Sequence, residues 1–221
     1  MGLGLEVVTV KIKIPEVVDR IKAALKNKSV VVGVVGDEAG EAQSDETGKR
    51  GATVAEYASY LEFGWIQDTT KRQSAYLSGV LGYDVSKYGF KHAPIKPATQ
   101  LVMPPRPFLR ATARAKKEKW AQVFAKAVKG VGVENIDDAL ALLGTRARDD
   151  VKETIRNNGT EGEKFAERSD LTMQLYAAKE GRTATGRKRK IDKTSAVGRK
   201  QALVKTNALH NAITFKIEND E

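Results

Sequence analysis

The chain has 221 residues, 41% of them apolar and 30% charged, with a formal net charge of +10 and no cysteine. It is long enough to bury one substantial core, but with more charge and less apolar side chain than an average globular domain, part of its surface is expected to be solvated or covered by partners. The missing cysteines exclude disulfides, thiolate nucleophiles and thiolate metal sites. No apolar run nears the ~20 residues of a membrane span, and Met1–Val10 lacks a signal-peptide pattern, so a soluble protein with no membrane partner is expected.

Leu5–Ile14 alternates, with Val8, Val10, Ile12 and Ile14 on one side, which predicts an opening strand. Pro15 suits a first helical turn, and Val17, Val18, Ile21, Ala24 and Leu25 then recur at helical spacing as far as Asn27. Ser29–Val35 is short, β-branched and nearly continuous in apolar character, as in a strand buried on both faces. Asp37–Gly51 has almost nothing to bury and is predicted to be an exposed, mobile loop.

A short helix follows, marked by Val54, Tyr57, Ala58 and Leu61, with Thr53 as its cap and Gly64 closing it. Trp65–Val102 combines glycines and prolines with Tyr76, Tyr83, Tyr88 and Phe90. That mixture predicts a folded insertion containing a hairpin and serving as a contact surface. The prolines at 104, 105 and 107 impose an extended approach, with Pro107 at the first position of the next helix. That helix carries Phe108, Ala111, Trp120, Val123, Phe124, Ala127 and Val128 on one stripe and ends at Gly130 and Gly132. Its partner runs from Asn135 to Asn158, led by Asp137 and Asp138, and completes a helical hairpin. Thr160–Ser195 is predicted as a long basic loop with a short helix at Leu171–Lys179. Asn207–Asn211 then forms a turn of helix, and Ala212–Ile217 a closing strand. The expected fold is α+β: a small, mainly antiparallel sheet of the first, Ser29 and last strands, packed by the helical hairpin. It would be a single domain over 1–221, with insertions at about 65–102 and 159–200.

Catalytic patterns are sparse. His92 and His210 are far apart, and neither has a carboxylate at metal-ligand spacing. Phosphate-loop, nucleophile-elbow and zinc-protease motifs are all lacking. Glu56 and Glu62 stand on different faces of their helix, which argues against an acid/base pair. The glycines and threonines of 181–186 are those of an ordinary flexible loop. The expectation is a protein that is not an enzyme and needs no cofactor or metal.

Two segments carry more specific patterns. Ala58-Ser59-Tyr60-Leu61-Glu62-Phe63-Gly64 is followed at a distance by Met103-Pro104-Pro105-Arg106-Pro107-Phe108-Leu109, and the chain closes on Leu203, Thr206, Leu209, Ile213 and Ile217. In that order they resemble the head-tail completion or neck proteins of long-tailed phages, also called the virion morphogenesis family. Those proteins have A-x-x-x-E-F-G at a helix end, I-P-P-R-P-F-L at a helix start, and P-L-x-x-T-G-x-L-x-x-S-I-x-x-x-V at the close. Asn207 stands in place of the glycine of the third motif, and Ala202 and Ala212 in place of its proline and serine. The stretches 65–102 and after Gly159 are longer than the family's connections. The resemblance covers about half the chain in short pieces. It implies a structural virion protein, assembled in the host cytoplasm, that forms a homo-oligomeric ring in the neck. Its neighbours would be head-side connector or portal-adaptor proteins and tail terminator, tube or sheath proteins, with non-specific contact to packaged DNA possible.

The residues named for interface or channel roles are Glu62, Phe63, Arg106, Phe108, Arg110, Arg114, Arg187, Lys188, Arg189 and Lys190. Phe63 and Phe108 are aromatic anchors at a helix end and a helix start, and a Glu62 to Arg106 ion pair would pin two distant segments. Arg106, Arg110, Arg114 and Lys117 recur at helical intervals where the helix dipole disfavours cations, which suits either a channel or acidic-neighbour contact or a solvated face. The Arg187–Lys190 run has no interleaved aromatics for base stacking and is read as a solvated loop in preference to a DNA contact. The alternative function is a nucleic-acid-binding protein using this basic C-terminal segment.

Overall fold

A computed structural model describes residues 17–35, 42–44, 50–180, 203 and 207–219. Leu5–Ile14, the predicted first strand, and the basic run Arg187–Lys190 lie outside the described residues. The fold is α+β, with small antiparallel strand pairs and a long helical hairpin against one of them. By contact density the described residues of Met1–Ala58, Pro107–Lys164 and Asn207–Glu221 form one compact unit, and those of Ser59–Arg106 and Phe165–Thr206 a second.

In the first unit, α1 (Val17–Ala24) leads into β1 (Lys28–Val34), which pairs antiparallel with β6 (Ile213–Asn219), Val32 opposite Phe215. The long helices α5 (Phe108–Val131) and α6 (Ile136–Arg156) pack along each other, and α6 lies against both strands. Phe124, Val128, Ile136, Ala139 and Leu140 form the centre of this core, onto which Ile21, Ala24, Leu25, Val30 and Ile217 pack. A glycine, Gly144, sits where α6 meets β6, because a Cβ there would run into the Phe215 ring. Val30, Val31 and Val32 stay half-buried, contrary to a strand covered on both faces. The reason is topological: among the described residues this is a two-stranded sheet, and the hairpin covers one side of it.

The stretch predicted as a bare loop contains β2 (Ala42–Ser44) and β3 (Arg50–Thr53), paired antiparallel. Backbone pairing in a local hairpin needs no apolar side chain, so composition gave no sign of it. Thr53 then starts α2 (Val54–Phe63) with reciprocal bonds. Its hydroxyl accepts from the Glu56 N–H at 3.1 Å, and its own N–H donates to the Glu56 carboxylate at 2.8 Å.

The second unit holds the last turn of α2, β4 (Trp65–Asp68), α3 (Lys71–Val80), α4 (Val85–Tyr88), β5 (Gln100–Met103) and α7 (Asp170–Glu180). The expected insertion is folded: β4 and β5 pair antiparallel across it, with Ile66 opposite Val102. Hydroxyls tie its loop to its helix, Ser74 donating to Lys96 O at 2.9 Å and Ser78 to Ile95 O at 3.1 Å. Gly64 turns the chain from α2 into β4 at φ +70°, where a Cβ would stand 2.6 Å from Met103 O and 2.8 Å from Pro105 N. Only glycine fits both the angle and the space.

Boundaries moved slightly elsewhere. Pro107 is the N-cap of α5 rather than its first residue, and its carbonyl accepts from the Ala111 N–H at 2.7 Å. Gly132, at φ 85°, ends α5. The final helix α8 (Ala208–Ala212) starts from Asn207 in the left-handed region, φ 58°, a geometry asparagine tolerates better than other side chains.

Candidate functional site

The two segments that carry the most specific sequence patterns meet in the second unit. The Arg106 N–H donates to Leu61 O at 2.6 Å, and Gly64 admits Met103 and Pro105 to close approach. Glu62 and Arg106, each only 4% exposed, are buried there. The Arg106 guanidinium forks onto a third segment, its Nε donating to Ala166 O at 2.8 Å and its Nη2 to Glu167 O at 3.0 Å, with Pro104 O at 3.4 Å. A planar, permanently charged donor array suits such a bundle of carbonyls.

This placement corrects the expected basic stripe. Arg106 precedes the N-cap, so helical periodicity does not reach it, and burial removes it from any solvent-facing surface. Arg110 is half-buried, while Arg114 is exposed and forms an ion pair with Glu163 at 2.7 Å. Lys117 is exposed. The two aromatic anchors also part company. Phe108 is fully buried at 0% exposure, whereas Phe63 remains 58% exposed at the end of α2.

Phe63 belongs to a larger set. Apart from Leu142, the large apolar side chains exposed among the described residues all fall between positions 57 and 102: Tyr57, Tyr60, Phe63, Ile66, Tyr76, Tyr88 and Val102. Ile66 and Val102 are register partners and both more than half exposed, so one face of the β4–β5 ribbon presents an apolar pair to solvent. Nearby in sequence, Tyr83 and Tyr88 lie 5.9 Å apart between ring centroids, and the Lys87 ammonium sits over Tyr88. Exposed apolar pairs such as Ile66 and Val102 suit contact faces.

Sequence reasoning missed a buried polar cluster between the two long helices. The Trp120 indole N–H donates to Asp150 Oδ2 at 2.7 Å, and Arg146 reaches the other oxygen at 2.9 Å from one turn away. The Thr112 and Thr154 hydroxyls lie 2.7 Å apart in the same interior. The available signal was Asp150 itself, a charge on the apolar stripe of α6 beside Ala147 and Val151. The cluster ties α5 to α6 through the buried Trp120 to Asp150 bond, with Arg146 at its solvent-facing edge.

Among the described residues, no group of three or more histidines, aspartates and glutamates is placed to hold a metal ion. His92 is exposed, and His210 lies 3.3 Å from an Arg156 nitrogen. No helix among them is long and apolar enough to cross a membrane. Comparison with family models, with curated proteins and with solved structures finds no match.

Proposed function

We propose that this chain is a structural virion protein of a tailed bacteriophage, one copy of a ring in the neck that joins the DNA-filled head to the tail. The observation that carries the reading is the meeting of the two resemblance segments. Leu61–Gly64 and Met103–Arg106, some forty residues apart in sequence, are bonded backbone to backbone, with Glu62 and Arg106 buried beside that contact. Support also comes from the apolar side chains exposed between 57 and 102, which suit a component whose surface is covered in an assembly. In this reading the chain acts through interfaces. Tyr60, Phe63, Ile66 and Val102 supply buried contact area to the connector above or the tail proteins below, and no reaction is catalysed.

The test is genetic and structural together. A phage genome with this gene deleted should yield heads that package DNA yet stay unjoined to tails, and the protein should be present in intact particles at a fixed stoichiometry. Particles that lack the protein, or that join normally without the gene, overturn the reading. A free nucleic-acid-binding protein would instead bind duplex as a monomer, with affinity falling steeply as salt rises.

A further inference from the structure

Between their connecting turn and Asp149, the outer faces of the two long helices carry opposite charge in matched positions, and we propose that α5 of one copy docks on α6 of the next, forming the head-to-tail contact that closes the ring. The proposal rests on the ring reading above and specifies its subunit interface.

On α5, Lys119, Gln122, Lys126 and Lys129 recur at intervals of three and four and are all exposed. That spacing keeps them on one face. On α6, Asp138, Leu142, Thr145 and Asp149 recur the same way; Asp138, Leu142 and Asp149 are exposed and Thr145 half-buried. Among the described residues, Lys119, Lys126, Lys129 and Asp138 take part in no ion pair. Asp149 is held only by its chain neighbour Arg148. Among the described residues, Leu142, at 52%, is the one large exposed apolar side chain outside the 57–102 set. It borders a shallow depression shared with Asp138, Ala141 and Thr145.

The two stripes keep step. Counted outward from the turn between Gly132 and Asn135, Lys129 falls level with Asp138, Lys126 with Leu142, Gln122 with Thr145 and Lys119 with Asp149. The agreement is within about one residue, a rise of ~1.5 Å. In a cyclic ring every copy places a given residue at the same height. When the hairpin runs along the ring axis, each residue of one stripe therefore meets its level partner on the neighbouring copy. Lys129 and Lys119 then pair with Asp138 and Asp149, Gln122 meets the Thr145 hydroxyl, and the Lys126 methylenes lie over Leu142 with the ammonium at the rim. The two patches differ, so the contact is heterologous, the kind that builds rings rather than twofold dimers. A second copy explains both stripes at once. A nucleic acid would account for the lysines and leave Asp138 and Leu142 unexplained.

The test uses the full chain and mass photometry. Wild-type chain should form a closed oligomer that dissociates as salt rises, since exposed charges are screened. Lys119→Glu with Lys129→Glu, and separately Asp138→Lys with Leu142→Lys, should each give folded monomers with unchanged helical circular dichroism. Mixing the lysine-face variant with an Asp138→Lys, Asp149→Lys variant should restore oligomer, because each variant then offers a face complementary to the other. Wild-type chain that stays monomeric, variants that still assemble, or a mixture that fails to rescue all overturn the interface. So does an assembly-competent lysine-face variant whose only loss is duplex DNA binding. If the interface fails while the protein still occurs in particles and heads still need it for joining, the ring reading stands with another contact.

Discussion

Truncating Asp150 should loosen the helical hairpin by an amount set by one indole. The carboxylate is 2% exposed and accepts from Trp120 Nε1 at 2.7 Å, while Arg146, its ion-pair partner, is 41% exposed. In Asp150→Ala the arginine can turn to water, so the ion pair accounts for at most ~1 kcal/mol. The indole N–H cannot turn away, and an unsatisfied buried donor costs about 1–3 kcal/mol. The sum predicts a loss of about 1–4 kcal/mol. Asp150→Asn keeps an acceptor for the indole and should lose only about 1 kcal/mol. Urea unfolding followed by Trp120 fluorescence in a Trp65→Phe background measures both. Combining Trp120→Phe with Asp150→Ala should cost less than the two separate losses by at least ~1 kcal/mol, since the donor and its acceptor leave together. Equal losses for Ala and Asn, or strict additivity with Trp120→Phe, would refute the assignment of the stability to this hydrogen bond.

Gly64→Ala combines a left-handed backbone with a Cβ pressed against Met103 O, and should cost more than ~2 kcal/mol. Hydrogen exchange should show protection lost across the β4–β5 pair. Asn207→Gly should leave the unfolding free energy unchanged or slightly raised, and Asn207→Ala should lower it by about 1 kcal/mol, because φ there is 58°. Arg106→Lys forfeits the fork onto Ala166 O and Glu167 O, and should speed amide exchange around 165–169 at least tenfold, equivalent to ~1.5 kcal/mol or more. Ile66→Thr with Val102→Thr changes only exposed positions of one ribbon face. It should shift stability by no more than ~0.5 kcal/mol while blocking incorporation into particles.

The hairpin was legible because its signals are local and repeated. Phe124, Val128, Leu140 and Val151 recur at the helical period, and Gly132 interrupts it. The closing strand was legible for a similar reason, from its alternation. The β2–β3 pair was not, since backbone hydrogen bonds leave no mark on composition. Phe63 and Phe108 show a different limit. Two phenylalanines at equivalent-looking helix ends have opposite exposure, because burial depends on what other segments bring to them.

Arg106 separates the two kinds of information most clearly. Sequence set it between prolines in an extended approach, but its spacing from Arg110 and Arg114 read as one helical stripe, and only the structure put it before the N-cap of α5. Its carbonyl partners lie sixty residues away at Ala166 and Glu167, and nothing local to either segment names the other. Asp150 is the same case: its charge on an apolar face could be read, but the indole that satisfies it depends on how α5 rotates against α6. Sequence by itself determined the long helices α5 and α6, the strands β1 and β6 and which faces of the helices are apolar, since those follow from neighbours a few residues apart. Tertiary structure alone decided which buried polar groups meet and which aromatics stay exposed, because each requires chain segments far apart in sequence to be fixed in one geometry.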